Sequence, residues 1–377
     1  MNAFKKKSLC LAIAAGLGAV GMAGTASAVN INSNGLGQAL IYPYFTVRNN
    51  QNTYVSVVNT TNQAKAVKVR WLESRNSREV LDFNLYLSAY DTWTAAVIPT
   101  ANGAGARMIT ADRSCTQPMA AATTGEVGNG WNFANTTFTG AAVAGLFSAT
   151  FGIDGVAGSD SLDRTKEGYM EIIEMGVVTH PAILSAITHN SAGFPANCLL
   201  LQTASASGLD GLGGMAVGGP TPLAPPTGGL AGTGTVILPA TGFAASYDPV
   251  ALAAFSATNL WTVPGSIRPS MIDANPARSV VFKNGAAITS NWTATTADAV
   301  SSVLMHDNLI NEIIMDTNTQ STTDWVITMP TKRHYVPVQI PGGAVQATLP
   351  PFTSKFWITG ATTPWTGGAC ETVAVQY

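Results

Sequence analysis

"NTYVSVVNTTNQAKAVKVRWLESRNSREVLDFNLYLSAYDTWTAAV", Asn52 to Val97, decides the fold class. In "AVKVRWL", Val67, Val69 and Trp71 alternate with Lys68 and Arg70. In "VLDFNLYL", Leu81, Phe83, Leu85 and Leu87 alternate with Asp82, Asn84 and Tyr86. A period of two sorts side chains onto opposite faces of a strand. The apolar set is expected to face a core, and the polar set, Asn84 included, to face outward. "TYVSVV" before and "TWTAAVI" after add two more strands, and "NTTNQA" and "ESRNSRE" read as turns. Four short strands joined by short turns predict an antiparallel meander. A sandwich is the natural way to bury its apolar face, so the expected fold is mainly β, an antiparallel β-sandwich with minor helices.

Further strands are expected at "EGYMEIIEMGVV" (Glu167 to Val178), "WVITMP", "FWITG" and "TVAVQY". Glu171 and Glu174 are out of phase, which predicts a bulge or an end near Glu174. "WVITMP" is mostly apolar and reads as a central strand stopped by Pro330. Helices are expected over 249–257, which opens at Pro249, and over 296–315. Residues 204–234 hold ten Gly and four Pro, with Asp210 the only charge, and read as a long loop or linker. The expected organisation is a leader over 1–28, a β-rich lobe over 29–203, the linker, and a β-rich lobe with helices over 235–377 that could share a sheet with the first.

Lys5, Lys6 and Lys7, an apolar run from Leu9 to about Met22, and the small residues Ala26 and Ala28 have the order of a secretory signal peptide. Cleavage is expected after Ala28. It leaves 16 basic residues against 21 acidic, a net charge of −5. The basic cluster Lys332–Arg333–His334 is then too small for nucleic acid, which needs many cations. Only 11% of the chain is charged, against the usual quarter. Such a surface of Asn, Thr, Ser and Gly suits an exported or assembled protein. Cys115, Cys198 and Cys370 remain after cleavage, so one disulfide is expected with one thiol left over. Cys115–Cys198 is the favoured pair because both lie at strand margins in the same half, and the odd thiol could join two chains.

No sequence motif names a reaction. "GLGGMAVGG" lacks the flanking elements of a nucleotide loop. His180, His189, His306 and His334 form no H-E-x-x-H, and no C-x-x-C exists. The acids Asp154, Asp160, Asp163 and Glu167 could offer oxygen to Ca²⁺, but their spacing fits no calcium loop. No catalytic residue, cofactor or metal ligand is expected. Carboxylate pairs meet in space rather than in sequence, which keeps a secreted hydrolase as an alternative. Trp93, Trp131, Trp261 or Trp365 could bind sugar on an exposed sheet. The aromatic C-terminus of "TVAVQY" raises a third alternative, an outer-membrane barrel, against which stand the short strands.

"QALIYPYFTV", the segment from Ser56 to Ala95, "EGYMEIIEMG", "PTGGLAGTGTVI" and "TDWVITMPTKRHYV" resemble blocks of an uncharacterised family of secreted proteins of Gram-negative bacteria, described as cell-surface or surface-layer-like. The resemblance implies an envelope or surface location and carries no site residue. The functional expectation is an exported structural or interaction protein of the cell surface. Its partners would be other protein chains or surface components, with a homo-oligomer one form of assembly.

Overall fold

The computed structural model describes residues 28–74, 77–134, 162–206, 223–293, 296–306, 309–310, 315, 324–335 and 370–374. Two antiparallel sheets stack on each other. Sheet I has eight strands. Its continuous order is β1 (Asn30–Ile31), β15 (Val250–Ala253), β2 (Ala39–Thr46), β11 (Glu167–Val178), β4 (Lys65–Glu73), β5 (Glu79–Leu87) and β8 (Cys115–Gln117). The short β12 (Leu223–Ala224) also pairs with β11. Sheet II runs β14 (Phe243–Tyr247), β13 (Leu230–Leu238), β3 (Asn52–Asn59), β6 (Thr92–Pro99), β7 (Ala106–Ile109), β10 (Asn129–Asn132) and β9 (Ala121–Ala122). Among the described residues these are open sheets with edges, not one closed ring. Strands from both sides of the Gly/Pro-rich segment share them.

The expected sandwich is present, but the four-strand meander is not. β4 pairs with β5, and β3 pairs with β6, in different sheets. The chain crosses between sheets after Asn59 and again after Leu87. Asn59 explains why these links are corners rather than hairpin turns. Its buried amide donates to the Gln63 and Ser88 carbonyls, both at 2.7 Å, tying the two crossings together. Apolar residues of β4 and β5 (Val67, Val69, Trp71, Phe83, Leu85) meet Val55, Val57, Trp93 and Val97 of sheet II between the sheets. The Phe45 ring meets Trp71 edge-on at 5.2 Å, an arrangement that adds about 0.5–1.5 kcal/mol to the area buried. Tyr42 of sheet I donates across the interface to the Ser56 carbonyl of β3, at 2.6 Å. A side chain at Gly232 would strike that hydroxyl, so the position is held to glycine.

The second face of sheet I overturns a sequence expectation. All nine residues of β4 and all nine of β5 are buried. Asn84 does not face solvent: it is fully buried and donates to the Thr262 carbonyl at 2.9 Å. Residues 254–275, called the cap below, lie over this polar face. Part of the cap joins a second apolar cluster, in which its Phe255 and Met271 meet Ile41, Ile173, Leu252 and Val300.

The cap and helix α3 (Ala297–Leu304) replace part of the expected helical content. The helix expected at 249–257 is strand β15. Ala251 enters the inter-sheet core and Leu252 the second cluster, so both faces are buried and no polar alternation betrays the strand. The helix expected over 296–315 ends at Leu304. β18 (Asp324–Thr328) is not central: it forms a two-stranded pair with β19 (Cys370–Ala374). β16 (Arg278–Lys283) and β17 (Ala286–Asn291) form another hairpin. The expected bulge is real, between Glu174 and Gly176. Residues 1–27, "FWITG" and Trp365 lie outside the described residues.

Helices α1 (Pro181–Ile187) and α2 (Leu199–Ala206) pack over a third cluster that includes Ala66, Tyr86 and Met175. The expected disulfide, Cys115–Cys198, is formed with the Cα atoms 5.2 Å apart and ties β8 to the start of α2.

Candidate functional site

The covered face of sheet I concentrates the charge of the molecule. Antiparallel register sets Arg70 opposite Asp82 and also opposite Glu171 on the other neighbouring strand. Lys68 meets Asp82 at 2.6 Å, and both side chains are shut from solvent. Lys65 meets Glu174 at 2.7 Å, equally enclosed. Glu174 also accepts the Thr227 and Gly228 amides at 3.0 and 2.7 Å. Arg164 meets Glu73 at 3.2 Å. Arg70 serves two carboxylates, Glu79 at 2.7 Å and Glu171 at 2.5 Å.

The cap completes these pairs with its backbone. The Val263 carbonyl accepts from Lys68 at 3.0 Å, and the Gly265 amide donates to Asp82 at 2.6 Å. Charge taken from water costs several kcal/mol unless paired and hydrogen-bonded, and each contact here lowers that cost. Burial works against the Arg70 charge, but Glu79 and Glu171 outweigh it and raise its pKa. Burial pushes Glu79 up to about 7, Asp82 adds to the rise and Arg70 opposes it. Burial likewise raises Glu171 against the pull of Arg70. The shifts agree physically: one guanidinium flanked by two carboxylates stays charged, while each carboxylate has only a share of it. For Lys68, burial lowers the pKa and Asp82 resists.

A cavity of about 210 Å³ opens where Glu79, Glu171 and Arg70 meet the cap. His334, on the short helix α4 (Lys332–Tyr335), lines it. The sequence could not bring Glu79 to Glu171, 92 positions later. The phase of Glu171 against Ile172 was the only available signal.

The other sequence candidates are dispersed. His189 lies 2.9 Å from the Ser88 hydroxyl and 3.4 Å from Asp91, His180 precedes α1, and His306 is exposed. Asp163 and Glu167 are both paired with Arg48, at 3.1 and 2.8 Å, while Asp154 and Asp160 lie outside the described residues. Among the described residues, no three His, Cys, Asp or Glu side chains gather as a metal site. Trp93 is buried in the core and Trp261 packs partly buried against the third cluster. Trp131 stacks on Phe83 at 4.8 Å beside an open pocket of about 540 Å³.

Sheet II is the reverse of sheet I. Its seven strands carry one charged residue, Arg107, which is buried and bonded to the Val127 and Gly128 carbonyls. Outward positions of its central strands include Tyr54, Ser56, Thr92, Thr94, Thr233, Thr235 and Ser246, all exposed or partly exposed, beside the apolar Val58 and Ile237. They fall in cross-strand rows, Thr233–Ser56–Thr94 and Ser246–Thr235–Tyr54. Edge strand β14, Phe-Ala-Ala-Ser-Tyr, has neither a charge nor a proline. The class defined by these features is a mainly-β two-sheet sandwich with a charged interior layer and a neutral outer sheet. No protein-family model, curated protein or solved structure matches the chain.

Proposed function

We propose that this chain is an exported structural or interaction protein of the bacterial cell surface, contacting other chains through the neutral face and edge of sheet II. One observation carries the reading: the strands of sheet I hold nine Lys, Arg, Asp or Glu residues, most of them buried, while those of sheet II expose none. Exposed edges are usually protected by charge or proline, and β14 has neither within its span. A neutral, hydroxyl-rich sheet can approach a partner without repulsion and pair by its edge. The lysine-led, apolar N-terminus supports export, and the resemblance to surface proteins supports the location. Surface labelling of intact cells, joined to the native mass of the purified mature protein with and without reductant, tests it. Labelled, assembled protein is expected. A monomer inaccessible to the label contradicts the proposal.

A second reading, carbohydrate binding, draws on Trp131. Its pocket combines Trp131, Pro118 and Pro264 with Asp82, Asn132 and Thr123, an apolar wall beside polar groups. Quenching of tryptophan fluorescence by oligosaccharides, lost in Trp131→Ala, would favour it.

A further inference from the structure

We propose that the cavity between sheet I and the cap binds a small organic cation, a primary ammonium on a short apolar stem, with Glu79 as its counter-ion. The argument begins with charge pairing. Lys65, Lys68 and Arg164 each meet a carboxylate, while Arg70 is divided between Glu79 and Glu171. Among these described ion pairs, five carboxylates meet four cations.

The surplus has a direction. Glu79 gives Oε2 to Arg70, while its Oε1 is buried with no hydrogen bond, and the nearby Ser77 hydroxyl is also buried without one. Buried polar atoms are almost always satisfied, and both residues line the 210 Å³ cavity. An ammonium has three donors, enough for Glu79 Oε1 and Ser77 Oγ together. Leu72, Ile267, Ile272 and Pro330 supply apolar wall for a carbon stem. A bare metal ion would instead need several more oxygen ligands and would leave those walls unused.

Charged and titratable groups approach the cavity from every side. They are Lys68 and Arg70 on β4, Asp82 on the strand of Glu79, Tyr169 and Glu171 on β11, Arg268 and Asp273 in the cap, and Arg333 with His334 on α4. Arg268 is neutralised by Asp273 at 2.6 Å. The charges that act on Glu79 itself are Arg70, Asp82 and Lys68. Sharing Arg70 with Glu171, Glu79 compensates by holding a proton up to about pH 7. A bound ammonium takes the place of that proton.

The test is calorimetric titration of the intact mature protein with n-propylammonium and n-butylammonium, against n-butanol as the uncharged control. Buffers of different ionisation enthalpy at pH 6 and pH 9 read the linked proton. Saturable amine binding is expected, with close to one proton released per ligand at pH 6 and almost none at pH 9. Butanol should bind roughly tenfold more weakly or worse, and Glu79→Gln should lose a similar factor for the amine. No saturable binding, binding without proton release at pH 6, or equal affinity for butanol overturns the proposal. So does undiminished amine affinity in folded Glu79→Gln. If that variant does not fold, proton release in the wild type decides.

Discussion

Removing one member of the Lys68–Asp82 pair should cost far more than removing both. Lys68→Met leaves the Asp82 carboxylate almost fully buried, with only the Gly265 amide and more distant cations to answer it. Two unit charges about 4 Å apart interact by about 4 kcal/mol at an effective dielectric near 20, and this pair is closer still. Breaking a buried pair costs about 3–5 kcal/mol, much of it the stranded charge. The double variant Lys68→Met/Asp82→Leu removes both charges and keeps the volume. It forfeits the Gly265 contact, about 1 kcal/mol, so it should fall within about 2 kcal/mol of wild type. Urea unfolding of the four proteins, read as midpoint and slope, gives a coupling energy of at least about 3 kcal/mol on this reasoning. Two single variants each costing under about 1 kcal/mol, with an additive double, would be the behaviour of a surface pair. That result would refute the burial of this face.

The pH dependence has a defined sign. Burial raises Glu79 in the folded state to about 7 from the ordinary 4.5, so the protonated form favours folding. Its contribution is complete below about pH 4.5 and is lost as pH rises through 7, roughly 3 kcal/mol in all. Thermal unfolding should therefore show a loss between pH 5 and pH 8 that Glu79→Gln flattens. Phe83→Asp and Asn84→Asp should both be severe, at least about 3 kcal/mol, because both positions are fully buried; chemical unfolding checks it. Reducing Cys115–Cys198, which spans a separation of 83 residues, should cost about 4–5 kcal/mol by loop entropy, measured as the shift in urea midpoint with reductant.

Alternation made the strands legible. Val67, Val69 and Trp71, then Phe83 and Leu85, lie on the inter-sheet side as the pattern requires. The phase break at Glu174 located a bulge, and the strand margins located the disulfide. Alternation says that two faces differ, not that the polar one meets water. What hides Lys68 is the Val263 carbonyl, 195 residues away, a contact with no local signature. Pairing was equally opaque at Asn59, where a buried amide makes corners from segments that read as turns. At β15, burial on both faces erased the periodicity altogether.

The neutral face of sheet II is tested most directly by writing charge onto it. Ser56 and Thr94 are cross-strand partners on its outward side, and Thr94 is exposed. Ser56→Lys/Thr94→Lys should leave the melting temperature within the small range of surface changes, about 0.5 kcal/mol per site. Like charges opposite one another on both partners would repel any chain that docks there. The native mass of the mature protein, wild type against this variant, is the measurement. The account predicts an assembly for the wild type and a monomer for the variant at unchanged stability; an assembly of the same mass in both would contradict it.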